Sequence, residues 1–180
     1  HRMIVTSSVY RMRSAALEVP DSSSSEIAGD PQSTDPDNKN FWRMNVRRAE
    51  AETVRDTLLY LAGNLDLAQG GPQIDHHKGF VIPRRSIYFH HARDSQMPFL
   101  NVFDAANPRE CYRRQETVRP QQALALVNSS LALAQSRQVA FRLSEQVRLA
   151  GGHENRGGSS HDHFITLALE TILSREPSAA

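Results

Sequence analysis

The chain is expected to be a mainly α-helical domain with a small β-hairpin and a long, acidic, disordered-like loop near its N-terminus. Three observations carry this expectation. FWRMNVRRAEAETVRDTLLYLAGNLD, Phe41 to Asp66, repeats its apolar residues at helical spacing. Pro120 and the Asn128-Ser129-Ser130 step mark two further helix starts. RRSIYFHHA, Arg84 to Ala92, carries Ile87, Tyr88 and Phe89, which favour pleated backbone.

Taken in order, HRMIVTSSVYRM is read as a helix, although Met3, Val5, Val9, Tyr10 and Met12 make no clean stripe and the β-branched content suits a strand too. Residues 14–40 are read as a flexible acidic loop. The segment holds three prolines, a four-serine run and six acids against Lys39, and it has too little apolar surface to offset the entropy of ordering it. In the Phe41–Asp66 helix, Val54, Leu58 and Leu61 fall at i, i+4, i+7, with Ala51 and Ala62 on the same side. Arg47, Arg48, Glu52, Arg55 and Asp56 are assigned to the polar faces, and Gly63 or Asn64 is the stop. Gly70-Gly71-Pro72 forces a turn. Met97 to Phe103 is expected to pair with the Arg84–Ala92 strand through ARDSQ, with Pro98 at an edge. Pro120 opens a helix over QQALALVN, and a second runs from Ser129-Ser130 to about Leu149. Residues 151–160, rich in glycine, are a flexible link, and HFITLALETIL is a last helix ended by Pro177.

A length of 180 residues fits a single domain, 1–180, with a real core. The chain begins at His1 without an initiator methionine and stops at REPSAA, so it reads as a fragment of a larger protein. Net charge is +1 and the pI about 8.2, too mild a basic excess for a nucleic-acid partner. Of the 21 basic residues only Lys39 and Lys78 are lysine; forked guanidinium donors suit carboxylate, sulfate or phosphate, but a GC-rich genome explains the bias as well. Cys111 is the single cysteine, which removes any disulfide within the chain and any C-x-x-C-H haem attachment, and a lone cysteine is most simply a small buried hydrophobe. No apolar run approaches the roughly 18 residues that span a bilayer.

The ordered set HRMIVTSSVYR, WRMNVRRAEAETVRD, GGP, RRSIYF, FDAANPRECYRRQETVRPQQALALVNS and LSREPS resembles the planctomycete-specific domain of unknown function that lies C-terminal to planctomycete cytochrome c-type domains in large secreted or surface proteins. The resemblance covers most of the chain outside the acidic loop and the 151–160 link. It implies an extracytoplasmic location, periplasmic or at the cell surface. It also implies that haem belongs to the part of such a protein preceding this region, with no cofactor in the fragment itself. Relatives often carry a proline soon after the asparagine of PQQALALVN, where this chain has Ser129-Ser130, a change at a helix cap. The family has no established catalytic residues to carry over. Polysaccharide, or a haem domain of the same protein, is the partner the resemblance suggests.

From the residues themselves, Arg84, Arg85, Arg113 and Arg114 are expected to meet Asp94, Asp104, Glu110 and Glu116 if the strand and the arginine-rich crossover FDAANPRECYRRQETVRP come together. With Tyr88 and His91 they form either a ligand-binding cluster for an acidic or sulfated sugar or an internal ion-pair lattice. Glu52 and Asp56 share a helix face at the spacing of paired carboxylates, a pattern equally common on solvated helices. His76-His77, His90-His91 and His161-Asp162-His163 lack HExxH or cysteine-rich spacing, so no metal site is expected. A triad of Ser86, His91 and Asp104 lacks the G-x-S-x-G elbow, and no Gly-rich phosphate loop is present. Two functions remain: a non-catalytic binding or scaffold domain, and an enzyme module acting on complex or sulfated glycans coupled to a haem domain.

Overall fold

The computed structural model describes residues 1–12, 14, 31–110, 114–151, 160–175 and 177. The chain divides into two compact units, His1–Arg48 and Ala49–Ala180. The described residues are mainly helical, and none of their helices is long and apolar enough to cross a membrane. Cys111 and Arg113 lie outside the described residues, as do 15–30 and 152–159 within the two segments expected to be flexible.

In the first unit, α1 covers only Arg2–Val5. The hydroxyls of Thr6 and Ser7 donate to the carbonyls of Arg2 and Ile4 at 2.7 Å each, offering the chain local bonds in place of further helix. A second short helix, α2, spans Pro31–Thr34. Beyond it the backbone folds around Asp35, whose carboxylate accepts the Lys39 and Asn40 N–H groups at 2.9 and 2.7 Å. These backbone bonds hold the Asp35 carboxyl below its ordinary range. Trp42 Nε1 donates to the Asp35 carbonyl at 2.8 Å, and Asn38, at φ +54°, uses its side chain to bind Arg43 and Asn45.

The second unit is organised by α3, Ala51–Ala62. The helix expected from Phe41 starts ten residues later, because Glu50 is extended at ψ 152° and the Phe41–Glu50 segment is not helical. At the other end Gly63 takes the left-handed conformation, φ +76°, with its N–H bonded to the carbonyls of Leu59 and Tyr60. A side chain there would also collide with Arg142, which donates to the Leu61 carbonyl at 2.9 Å. The buried stripe is Ala51, Arg55, Leu59 and Ala62. It therefore runs one residue round from the Val54–Leu58–Leu61 face and includes an arginine assigned from sequence to the solvated side.

Three further helices complete the unit with a short one: α4 is Pro98–Val102, α5 Pro120–Asn128, α6 Ser130–Gly151 and α7 Ser160–Leu173. Pro120 opens α5, and Ser129 Oγ accepts the Ala132 N–H at 3.1 Å to cap α6, both as expected. Helix α3 packs on α4 and α6, while α6 also carries α5 and α7. Ala51, Leu59, Phe89, Met97, Phe99, Leu100, Phe103 and Leu131 form the core.

The hairpin does not form, and the described residues hold only isolated bridges, Asp66 with Arg84, Ile74 with Phe89, and Ala92 with Ser95. Met97–Phe103 is helical instead, with Pro98 in its first turn and Phe99, Leu100 and Phe103 buried on one face. Ser86–Tyr88 is a 3-10 turn, because its neighbouring backbone groups are bonded to α3. Arg55, 0% exposed, sends Nε and Nη2 to the Gly79 carbonyl at 3.0 and 2.8 Å, Nη2 to that of Ile82 at 2.7 Å, and Nη1 to that of Arg84 at 2.8 Å. Its guanidinium lies over the Phe89 ring, 4.7 Å from the centroid. Asp56 takes both the Ser86 N–H, at 2.8 Å, and its hydroxyl, at 2.6 Å. A partner strand would need the same donors and acceptors.

Replacing Arg55 by methionine keeps most of the volume and strands the buried Gly79 carbonyl and the part-buried carbonyls of Ile82 and Arg84, at about 1–3 kcal/mol for each unsatisfied group. Arg55→Met is accordingly expected to lower unfolding stability by about 3–5 kcal/mol in urea denaturation. Arg55→Lys should recover only part of it, since an ammonium cannot reproduce the fork. A loss below about 1 kcal/mol for Arg55→Met would contradict this account.

Candidate functional site

A cleft of about 620 Å³ opens where α3 faces residues 85–91. Leu65, Phe89, Met97 and Leu100 contribute apolar walls, and the polar groups come chiefly from Glu50, Glu52, Asp56, Arg85, Arg114 and the His90-His91 pair. Tyr60 and Ile87 also line it and are 65% and 73% exposed. The helical period brings Glu52, Asp56 and Tyr60 to one side of α3, while the bond of Asp56 to Ser86 sets Arg85 opposite.

Most charges in the cleft already have partners. Arg114 reaches Glu52 with Nη1 at 2.6 Å and Nη2 at 3.3 Å, and Glu50 at 3.9 Å. Burial pushes the Glu52 carboxyl up, but the Arg114 hydrogen bond and charge outweigh it and hold the group below its ordinary range. Hydrogen bonding to Glu52 correspondingly raises Arg114. Glu52 is thus a carboxylate at neutral pH, unsuited to act as a general acid. Asp56 contacts Arg55 Nη1 at 3.4 Å and Arg85 Nε at 3.9 Å. Arg85, with 52% of its side chain exposed, meets Asp56 only at this long 3.9 Å separation.

The residues expected to converge are divided among three places. Arg85, His91 and Arg114 line the cleft. Arg84 and Tyr88 instead clamp the Gly70 turn: Arg84 Nη2 donates to the carbonyls of Ala68 and Gly70 at 2.9 and 2.8 Å, its guanidinium lies 4.4 Å over the Tyr88 ring, and the Tyr88 hydroxyl accepts the Gly70 N–H at 3.2 Å. Arg84 Nε stands 3.6 Å from Asp66 without forming a hydrogen bond. Asp104 and Glu110 border a second hollow of about 400 Å³. There Asp104, at φ +59°, accepts the Thr117 N–H and hydroxyl at 2.8 Å and the Gln122 amide at 3.3 Å, so it fastens the crossover to α5.

Ser86, His91 and Asp104 are also dispersed. Ser86 Oγ is bonded to Asp56, His91 Nε2 lies 2.6 Å from the Ala106 carbonyl, and Asp104 holds Thr117. The sequence reading missed Arg55 as a buried anchor and Glu50, Tyr60 and His90 as cleft residues. The available signal was the Ala51–Arg55–Leu59 spacing, which puts the arginine on the core stripe.

A family model describing a protein of unknown function, PSD1 or DUF1553, matches residues 1–180. The chain belongs to that family. No curated protein and no solved structure matches it. The family description carries no activity, so the chemistry of the cleft rests on its own residues.

The Glu52–Arg114 pair yields a pH prediction. Because Glu52 is depressed in the folded state, its contribution is present above the ordinary carboxylate value of 4.5 and is lost as pH falls below it. Thermal unfolding between pH 7 and pH 3 should therefore show a smaller loss of melting temperature in Glu52→Gln than in the wild type. Parallel pH profiles for the two proteins would remove the pair from the acid response.

Proposed function

We propose that the chain is a non-catalytic binding or scaffold domain of an extracytoplasmic, cytochrome c-associated protein of planctomycete type, and that its cleft contacts polysaccharide. The resemblance described above supports the setting. The single observation that carries the binding role is that Arg114 and Asp56, the groups best placed for chemistry, are already engaged by Glu52 and by Ser86 and Arg55. The Glu52 and Asp56 carboxylates are taken up by Arg114 and by Ser86 and Arg55, and the paired groups make a stable polar wall.

Charge balance narrows the ligand. With Glu50, Glu52 and Asp56 set against Arg85 and Arg114, the cleft has no cationic excess to hold a sulfate or uronate, which favours a neutral, hydroxyl-rich chain. Tyr60 supplies an exposed ring face for a sugar, and Arg85 the most accessible donor fork. The second reading, an enzyme module on sulfated glycans coupled to a haem domain elsewhere in the protein, draws on the same feature, the loose 3.9 Å Arg85 contact.

Glycan-array binding and reducing-end assays separate the two. The wild type is expected to retain neutral polysaccharides, to release no product, and to lose at least about tenfold in affinity in a Tyr60→Ala, Arg85→Ala double variant. Preference for sulfated glycans together with released sugar or sulfate would establish the enzyme reading instead. Equal binding by variant and wild type would remove the cleft as the contact surface.

A further inference from the structure

We propose that Asp75, His76 and His77 form a binding site for a divalent transition metal ion of borderline softness, with zinc as its representative. The proposal is independent of the cleft and of the polysaccharide reading. It starts from local backbone. His76–Phe80 is a 3-10 turn, and Asp75 caps it, its carboxylate Oδ1 accepting the His77 N–H at 2.8 Å. With about three residues per turn, adjacent side chains diverge by about 120° rather than pointing to opposite faces as on a strand. Neighbouring histidines can then serve one ion.

The side chains are already grouped. The two imidazole centroids lie 3.9 Å apart with the rings tilted by 39°, and His76 Nδ1 is 3.5 Å from Asp75 Oδ1. One ligand atom from each of the three residues falls within 4.8 Å of the others. Around an ion bound at about 2.0–2.2 Å, neighbouring ligand atoms are roughly 3 Å apart, so side-chain rotation is enough to close the set. Asp75 and His77 are exposed and give an ion direct entry, while His76 is partly buried.

Two imidazoles and one carboxylate select zinc, nickel or copper over magnesium or calcium, which prefer oxygen-only shells. Three protein ligands also leave coordination positions for water or for a group from a partner. The adjacent Lys78 ammonium adds repulsion and weakens the site without removing a ligand.

Isothermal titration of the full chain with zinc chloride, with magnesium chloride as a control, tests the site. One equivalent of zinc should bind and magnesium should not. His76→Ala and His77→Ala should each weaken zinc by about tenfold or more, while His161→Ala/His163→Ala leaves it unchanged. Asp75→Asn retains an acceptor for the His77 N–H but lacks the charge, so it should fold normally and still bind less zinc. In wild-type NMR spectra zinc should shift the ring signals of two histidines, those absent from the His76→Ala and His77→Ala spectra. No zinc binding by the wild type, or binding that persists unchanged in the His76 and His77 variants, would overturn the proposal.

Discussion

The second unit depends on the burial of one guanidinium. Taking Arg55 out of water is costly, and desolvation lowers its proton affinity. The position is tenable because its donors meet the carbonyls of Gly79, Ile82 and Arg84, the Ser86 hydroxyl and the Asp56 carboxylate. The 79–86 segment has few regular backbone bonds of its own, and α3 supplies its missing partners through this side chain. Gly79 belongs to the same arrangement: it is buried, and a Cβ there would run into Met97, itself 1% exposed. Main chain, arginine and methionine thus fit together with little room for another side chain.

That anchor also creates the cleft. Once Arg55 and Asp56 have drawn residues 82–86 against α3, Arg85 is left facing outward beside Asp56, and the chain continues through Phe89 into the core. The same helix turn carries Glu52, which meets Arg114 from the crossover. The acids and arginines that suggested chemistry in the sequence are therefore largely structural fasteners, and the surface they leave is polar, balanced in charge and edged by Tyr60 and Ile87.

Helix boundaries set by local chemistry were legible in advance. Pro120, Ser129 and Gly63 each act through backbone geometry or a bond within a few residues, which composition and spacing reveal directly. The hairpin was misjudged for the opposite reason. Ile87, Tyr88 and Phe89 have strand propensity, but the backbone around them is claimed by side chains about thirty residues earlier, and propensity is readily overridden by such tertiary bonds. Likewise Asp104 and Tyr88 were singled out for their chemistry, yet their partners Thr117 and Gly70 divert them to separate structural tasks.

By itself the sequence determined the helical class, the caps of α5 and α6, the stop after α3 and the kinship with a family of unknown function. Those features follow from short-range sterics and local hydrogen bonding, or from an ordered set of motifs. Only the tertiary structure decided that Arg55 lies inside and that Arg85 and Arg114 share a cleft while Arg84 does not. Whether a charged side chain is buried depends on whether distant carbonyls arrive to meet it, and residue spacing carries no record of that.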